Sequence, residues 1–206
     1  MTLLRAFIAI EIPAEIKKAI AVQTAGLHQA AGRAVRWVTS ENTHLTLKFL
    51  GELSPANVGL LSQALQVECS QQSSFEITVG GLGSFPNLRR PRLIWVGLNT
   101  PPDLNQLQHR VEAAAARLGY APEDKPFSAH LTIGRVREQA SPEETKQLQA
   151  ALTGLNIGEL GTFTAGTVTL FKSELQPAGA LYTPLFSARM GNLNPRPVSG
   201  QEKEII

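Results

Sequence analysis

Two of the chain's four histidines open the same three-residue word, His44-Leu45-Thr46 and His130-Leu131-Thr132. In an extended strand side chains i and i+2 share a face, so each histidine stands beside its threonine. Leu45, Leu47, Leu131 and Ile133 take the opposite, anchoring face. Imidazole has an ordinary pKa of about 6.5 and can take or give a proton near neutrality. A pair suits a reaction in which one proton is removed as another is delivered on the far side of a single atom. In-line displacement at phosphorus has that geometry. One ring acts as general base and the other as general acid, each transfer contributing on the order of 10²- to 10⁴-fold. The threonine hydroxyls hold the non-bridging oxygens, and a nearby cation offsets developing charge. Neither motif carries a third histidine or a carboxylate at ligand spacing, so no metal and no cofactor is expected. His28 and His109 lie in helical segments beside the apolar stripes and read as solvent-facing.

Something must bring two distant strands to one place, and the order of elements indicates what. Arg5 to Ile12 reads as a strand, followed by a helix over Ala14–Ala31 that Gly32 stops. After the first motif comes a helix from about Pro55 to Cys69, with Ser54 as its cap. Strands over Phe75–Leu82 and Arg92–Leu98 follow. The order then repeats, with a helix over Pro102–Leu118 and the second motif. Next is a helix over Pro142–Leu152, whose Ser141 and Glu144 form a capping box, and strands over Thr162–Lys172 and Leu181–Arg189. Matching elements are offset by about 86 to 89 residues, an internal duplication. The expected architecture is α+β: two pseudo-symmetric lobes, about 14–98 and 102–190, with an N-terminal strand 5–12. Two mainly antiparallel sheets face a central cleft, with helices on the outer faces, in one domain over 1–190. The segment 191–206, rich in Pro, Gly and charge, is expected to be loosely held.

Composition limits the partners. A net charge of +2 is too small for broad electrostatic wrapping of nucleic acid, although it permits an anionic substrate. The single Cys69 excludes an internal disulfide and a cysteine-based zinc site. The opening "MTLLRAFIAIEIP" is interrupted by Arg5 and Glu11, so neither a signal peptide nor a membrane span is expected. A cytoplasmic monomer is the expectation.

The stretches "RAFIAIEIP", "HLTLKFLGE", "FPNLRRPRLIWVG" and "HLTIGRV" resemble the RNA 2′,3′-cyclic phosphodiesterases, also called 2′-5′ RNA ligases, of the 2H phosphoesterase (LigT-like) superfamily. The resemblance runs from Arg5 to about Arg189. It implies His44 as proton donor to the leaving 3′ oxygen, His130 as proton acceptor from water, and a 2′-phosphate product. It also implies Arg135 near the phosphate. Strict alternation puts Arg135 on the wrong face, which a bulge at Gly134 would relieve. Phe49 holds the matching place in the first motif and reads as core rather than base-stacking. A cyclic phosphate of this kind needs a 2′-hydroxyl, so the implied substrate is an RNA end, tRNA fragments included. The alternatives are small cyclic nucleotides, ADP-ribose cyclic phosphate, or a non-catalytic module that holds an RNA end. Phe7, Trp37 and Phe127 are candidates to stack the terminal base, and Arg89, Arg90 and Arg92 to meet upstream phosphates. Ser128, Ser173 and Tyr182 are candidate polar lining.

Overall fold

The computed structural model describes residues 3–176 and 179–191; the expected loose tail lies, beyond Gly191, outside the described residues. Strand β1 (Leu4–Glu11) leads into helix α1 (Ala14–Ala31). Its Ile16, Ile20, Thr24, Leu27 and Ala31 recur at helical spacing and are buried. Gly32, at φ 50°, ends it in a conformation that costs glycine little. A short strand β2 (Val35–Trp37) and a 3-10 turn at Ser40–Asn42 precede β3 (His44–Leu53), neither of which the sequence pattern announces. Helix α2 spans Asn57–Ser70. Ser54 does not cap it with its side chain; its carbonyl accepts the Asn57 N–H at 2.9 Å, so one turn intervenes before the helix begins.

Strands β4 (Phe75–Phe85) and β5 (Leu93–Asn99) then lead to α3 (Pro102–Arg117) and β6 (His130–Val136). Helix α4 (Pro142–Gly154) starts with the expected capping box, Glu144 N–H to Ser141 Oγ at 3.2 Å and Ser141 N–H to Glu144 Oε2 at 2.8 Å. The strand expected over 162–172 is two, β7 (Glu159–Ala165) and β8 (Thr167–Gln176), broken at Gly166. Strand β9 (Gly179–Arg189) closes the order.

All pairings are antiparallel, and the strands form one nine-stranded sheet in the order β7-β4-β5-β6-β3-β1-β8-β9, with β2 added to β6. Among the described residues the two halves of this sheet meet only at β3 and β6, through the single pair Leu45–Leu131. The halves of the sheet are not the halves of the chain. β1 and β3 lie in one half with β8 and β9 of the second repeat, β8 pairing with β1, while β6 and β7 lie in the other with β4 and β5 of the first. Contiguous lobes over 14–98 and 102–190 therefore do not describe the architecture. Counted instead from β1 and from β5, each repeat sends its last strands to the first strand of the other, β4 to β5 and the β8–β9 hairpin to β1. The helices follow the same rule, α1 packing with α4 and α2 with α3.

One apolar core runs behind both halves, with Ile8, Ile10, Leu45, Ile94, Val96 and Leu131 at its centre. A second, small cluster of Phe7, Ala9 and Phe171, with Tyr182 against it, lies on the other face of β1.

Candidate active site

Leu45 and Leu131, paired across β3 and β6, are 1% and 0% exposed and point into the core. Residues flanking such a pair point the other way. His44 and Thr46 from one strand, and His130 and Thr132 from the other, therefore emerge on one face. In this register His44 lies across from Thr132 and His130 across from Thr46, which makes the imidazoles diagonal neighbours. In a regular ladder such neighbours have Cβ atoms about 7–8 Å apart, room for a group held between the rings.

Both strands carry an extra residue just past the threonine. On β3, Thr46 pairs with Ala9 and Lys48 with Ile8, leaving Leu47 unpaired. On β6, Thr132 pairs with Trp95 and Gly134 with Ile94, leaving Ile133 unpaired. Each bulge resets the alternation. Burial records the reset identically from His44 to Phe49 and from His130 to Arg135: partly exposed, buried, partly exposed, buried, buried, exposed. Arg135 thus reaches the histidine face, with the extra residue at Ile133, one before Gly134.

Phe49 arrives on the same face by the same device and is 57% exposed, which corrects its reading as a core residue. Neither bulge carbonyl is left orphaned. Gln108 Nε2 donates to Leu47 O at 3.3 Å, and the Val38 N–H donates to Ile133 O at 2.9 Å. Behind the first bulge, Lys48 is 2% exposed and donates to Glu112 Oε1 at 2.7 Å and to Ala121 O at 2.5 Å. A buried pair of this kind adds little net stability, but losing one partner costs about 3–5 kcal/mol, so it acts to fix β3 against α3.

A backbone carbonyl two residues upstream acts on each histidine ring. His130 Nδ1 lies 2.7 Å from Ser128 O, so this nitrogen carries the proton and donates it, and Nε2 is left for the cleft. The carbonyl of Asn42, again two residues before the histidine, acts on the His44 ring in favour of its charged form. Asn42 is itself tied to β9, its Nδ2 donating to Ala180 O at 2.6 Å. Burial pushes the His44 pKa down to about 4, with the Asn42 carbonyl opposing and the Lys17 ammonium assisting. Burial also lowers that of His130, against its Ser128 hydrogen bond and together with the nearby Arg135. Burial therefore favours the neutral form of both rings in the free protein, away from the ordinary imidazole value.

Phe7 does not face solvent as a base-stacking residue should. It is 4% exposed, stacked on His44 at 4.6 Å between ring centroids and on Phe171 at 5.2 Å. Tyr182 meets both Phe7 and His44 edge-on, at 4.8 and 5.2 Å. Phe7 thus positions His44 from beneath. Trp37 pairs with Gly134 and so faces away from the histidines; it stacks on His28 at 3.8 Å, and His28 is accordingly partly buried rather than solvent-facing. Phe127 packs against the main core. Ser173 pairs with Tyr182 and shares its face. Arg89 and Arg90 sit in a turn, their N–H groups donating to Asn87 Oδ1 at 3.0 and 3.1 Å.

Other residues on this face escaped the sequence reading. Phe85 meets His130 edge-on at 5.1 Å, in the place that Phe171 holds 86 residues later near His44. Trp95 lies flat on Gly83, where a Cβ would come within 2.2 Å of its ring, and borders an open depression of about 640 Å³ also lined by Asn87, Leu88 and Arg89. Arg5 and Arg36 stand near Tyr182 together with Arg135. Only the constant 86-residue offset, laid over the strands, could have found Phe85 and Phe171. Among the described residues no group of three or more His, Cys, Asp or Glu side chains is placed to hold a metal ion.

A curled antiparallel sheet with one His-x-Thr strand from each repeat is the design of a duplicated phosphoesterase. Comparison with known proteins agrees: the family model for LigT-like phosphoesterases matches the chain twice, over residues 10–95 and 96–182. The chain belongs to this family. It is 30% identical over 181 residues to the RNA 2′,3′-cyclic phosphodiesterase of Methanothermobacter thermautotrophicus, covering 88% of this chain and 96% of that one. It is 32% identical over 184 residues to the protein of the same name from Escherichia coli, covering 88% and 93%. The crystal structure of E. coli LigT complexed with 3′-AMP superposes with a TM-score of 0.71 at 28% identity, over 92% of this chain and 99% of that one.

Proposed function

We propose that this chain hydrolyses RNA 2′,3′-cyclic phosphate ends to 2′-phosphomonoesters by paired-histidine acid–base catalysis that needs no metal. The observation that carries the reading is the Leu45–Leu131 pair, which puts His44, Thr46, His130 and Thr132 on one face. The relatives' names supply the substrate class. His130, with Nδ1 tied to Ser128 O, takes the proton of the attacking water at Nε2. His44 delivers a proton to the departing 3′ oxygen. The burial of His44 opposes a resting positive charge, so the substrate's phosphate must draw that proton in as it binds. Thr46 and Thr132 donate to the non-bridging oxygens, and Arg135, brought round by the Ile133 bulge, offsets their charge. The exposed Phe49 ring is the surface on this face fitted to stack a terminal base, a contact of about 1–3 kcal/mol. With the 5′-hydroxyl of a second strand in place of water, the same proton transfers open the cyclic phosphate into a 2′-5′ phosphodiester as the 3′ oxygen leaves.

The test is product analysis of a short RNA ending in a 2′,3′-cyclic phosphate, incubated with the protein in excess chelator. A 2′-phosphate end formed at an undiminished rate is expected. A 3′-phosphate product overturns the assignment of the leaving oxygen, and loss of turnover on chelation overturns the metal-free mechanism.

A further inference from the structure

Arg135 has an arginine for a neighbour. In the ladder between β2 and β6, Arg36 pairs directly with Arg135, and both are exposed. Direct partners in an antiparallel ladder share a face, so Arg36 stands on the histidine side. A third cation arrives from the other half of the sheet. Arg5 alternates with Phe7 on β1 and pairs across β8 with Ser173, which pairs in turn with Tyr182. Burial raises the Tyr182 pKa, and Arg135, Arg36 and Arg5 each act on it in the opposite sense, which places all three within electrostatic reach of one phenol.

Two like charges directly opposite on a ladder are destabilising unless something offsets them. Among the described residues none of the three arginines forms an ion pair. Arg5 has Glu52 across the ladder on its other side, whereas the cross-strand partner of Arg36 is a second cation. Two arginines held side by side at the rim of a phosphate-binding face are one more than a single cyclic phosphate needs.

We infer that Arg36, with Arg5 adding charge from the opposite half of the sheet, forms a second phosphate subsite that takes the phosphodiester on the 5′ side of the terminal nucleotide, so that the protein prefers the end of an RNA strand to a free mononucleotide. The inference deepens the function proposed above and rests on it for the identity of the strand. Arg135 serves the reacting phosphate and Arg36 the next one along the backbone. The turn holding Arg89 and Arg90 is not required for this contact.

The experiment measures binding rather than turnover, so that it stands if hydrolysis fails. Affinities of the full chain for a 2′-phosphorylated mononucleotide, and for the same nucleotide at the 3′ end of a short RNA, are taken over a range of salt. The wild type is expected to hold the RNA at least about tenfold more tightly than the mononucleotide, with a steeper salt dependence, near 0.7 of a logarithmic unit for each additional phosphate neutralised on a single strand. R36Q should remove most of that advantage and leave the mononucleotide affinity within about twofold. R5Q, on a different strand, should remove a smaller part, and serves if R36Q impairs folding. R117Q, whose arginine pairs with Glu68 between α3 and α2, should change neither ligand. Equal wild-type affinities for the two ligands would overturn the subsite, as would an R36Q effect of equal size on both or on neither. Failure of the hydrolase reading is seen separately, as absent turnover with the RNA preference intact.

Discussion

A histidine in a cleft is defined by what holds its ring and what surrounds it. Here a carbonyl two residues upstream acts on each ring, Asn42 on His44 and Ser128 on His130, whose Nδ1 donates to it. This leaves Nε2 of His130 for the shared surface. Aromatic neighbours pack each ring, Phe7 and Tyr182 around His44 and Phe85 against His130. The same packing strips water from the imidazolium, so both pKa values fall, that of His44 to about 4. The consequence for rate is directional. kcat/KM reports the ionisations of free protein, and the proposed acid–base pair needs one ring charged and one neutral. With both values below 6.5, the bell-shaped profile of kcat/KM for a cyclic mononucleotide should have one limb near 4 and the other below 6.5. The kcat profile, set by the complex, should lie at higher pH because a bound phosphate anion favours the imidazolium. A kcat/KM profile whose alkaline limb falls above pH 7 would contradict the burial argument.

At the scale of single elements, the site depends on two bulges. Arg135 and Phe49 lie on the histidine face only because Ile133 and Leu47 are unpaired. Gly134 adds a second requirement, since a Cβ there would come within 2.7 Å of Val35 Cγ1 and 2.9 Å of the Trp37 ring. Gly134→Ala should therefore displace β2 and disturb both Arg135 and the Val38 contact to Ile133 O. A loss of about 1–3 kcal/mol in thermal or denaturant unfolding is expected from overpacking, together with a drop in kcat/KM that exceeds any drop for an alanine at the exposed Gly59. Unaltered activity in Gly134→Ala would show that β2 does not set the position of Arg135.

The second bulge was legible in the sequence, because Arg135 needed one and a glycine stood beside it. The first was not, because Leu47 and Lys48 have no glycine or other sign of irregularity. Phe49 was misplaced in consequence. Strand β2 was also invisible, three residues being too short for a period, and the break at Gly166 hid β7 inside a longer apolar run.

For the whole molecule, the repeat and both histidines could be read from order and spacing, and the helices fell within a residue or two of their expected ends. The exchange of strands could not. Alternating apolar residues tell a strand which face to bury but not which neighbour to take, so β4 and β8 give no sign that each crosses to the other repeat's first strand. That exchange makes one core of two repeats and leaves the Leu45–Leu131 pair to set one motif against the other. Neither repeat alone then contains a complete sheet or a complete site.

The central claim, that each repeat supplies one imidazole to a single phosphorus, is tested most directly by the hydrolysis rate of a 2′,3′-cyclic mononucleotide in wild type, H44A, H130A and the double variant. Each single substitution is predicted to cut kcat by about 10²-fold or more, and the double to lose little beyond the worse single, as groups acting in one step do. A single variant within tenfold of wild type, or a double variant whose loss is the full product of the two, would contradict it.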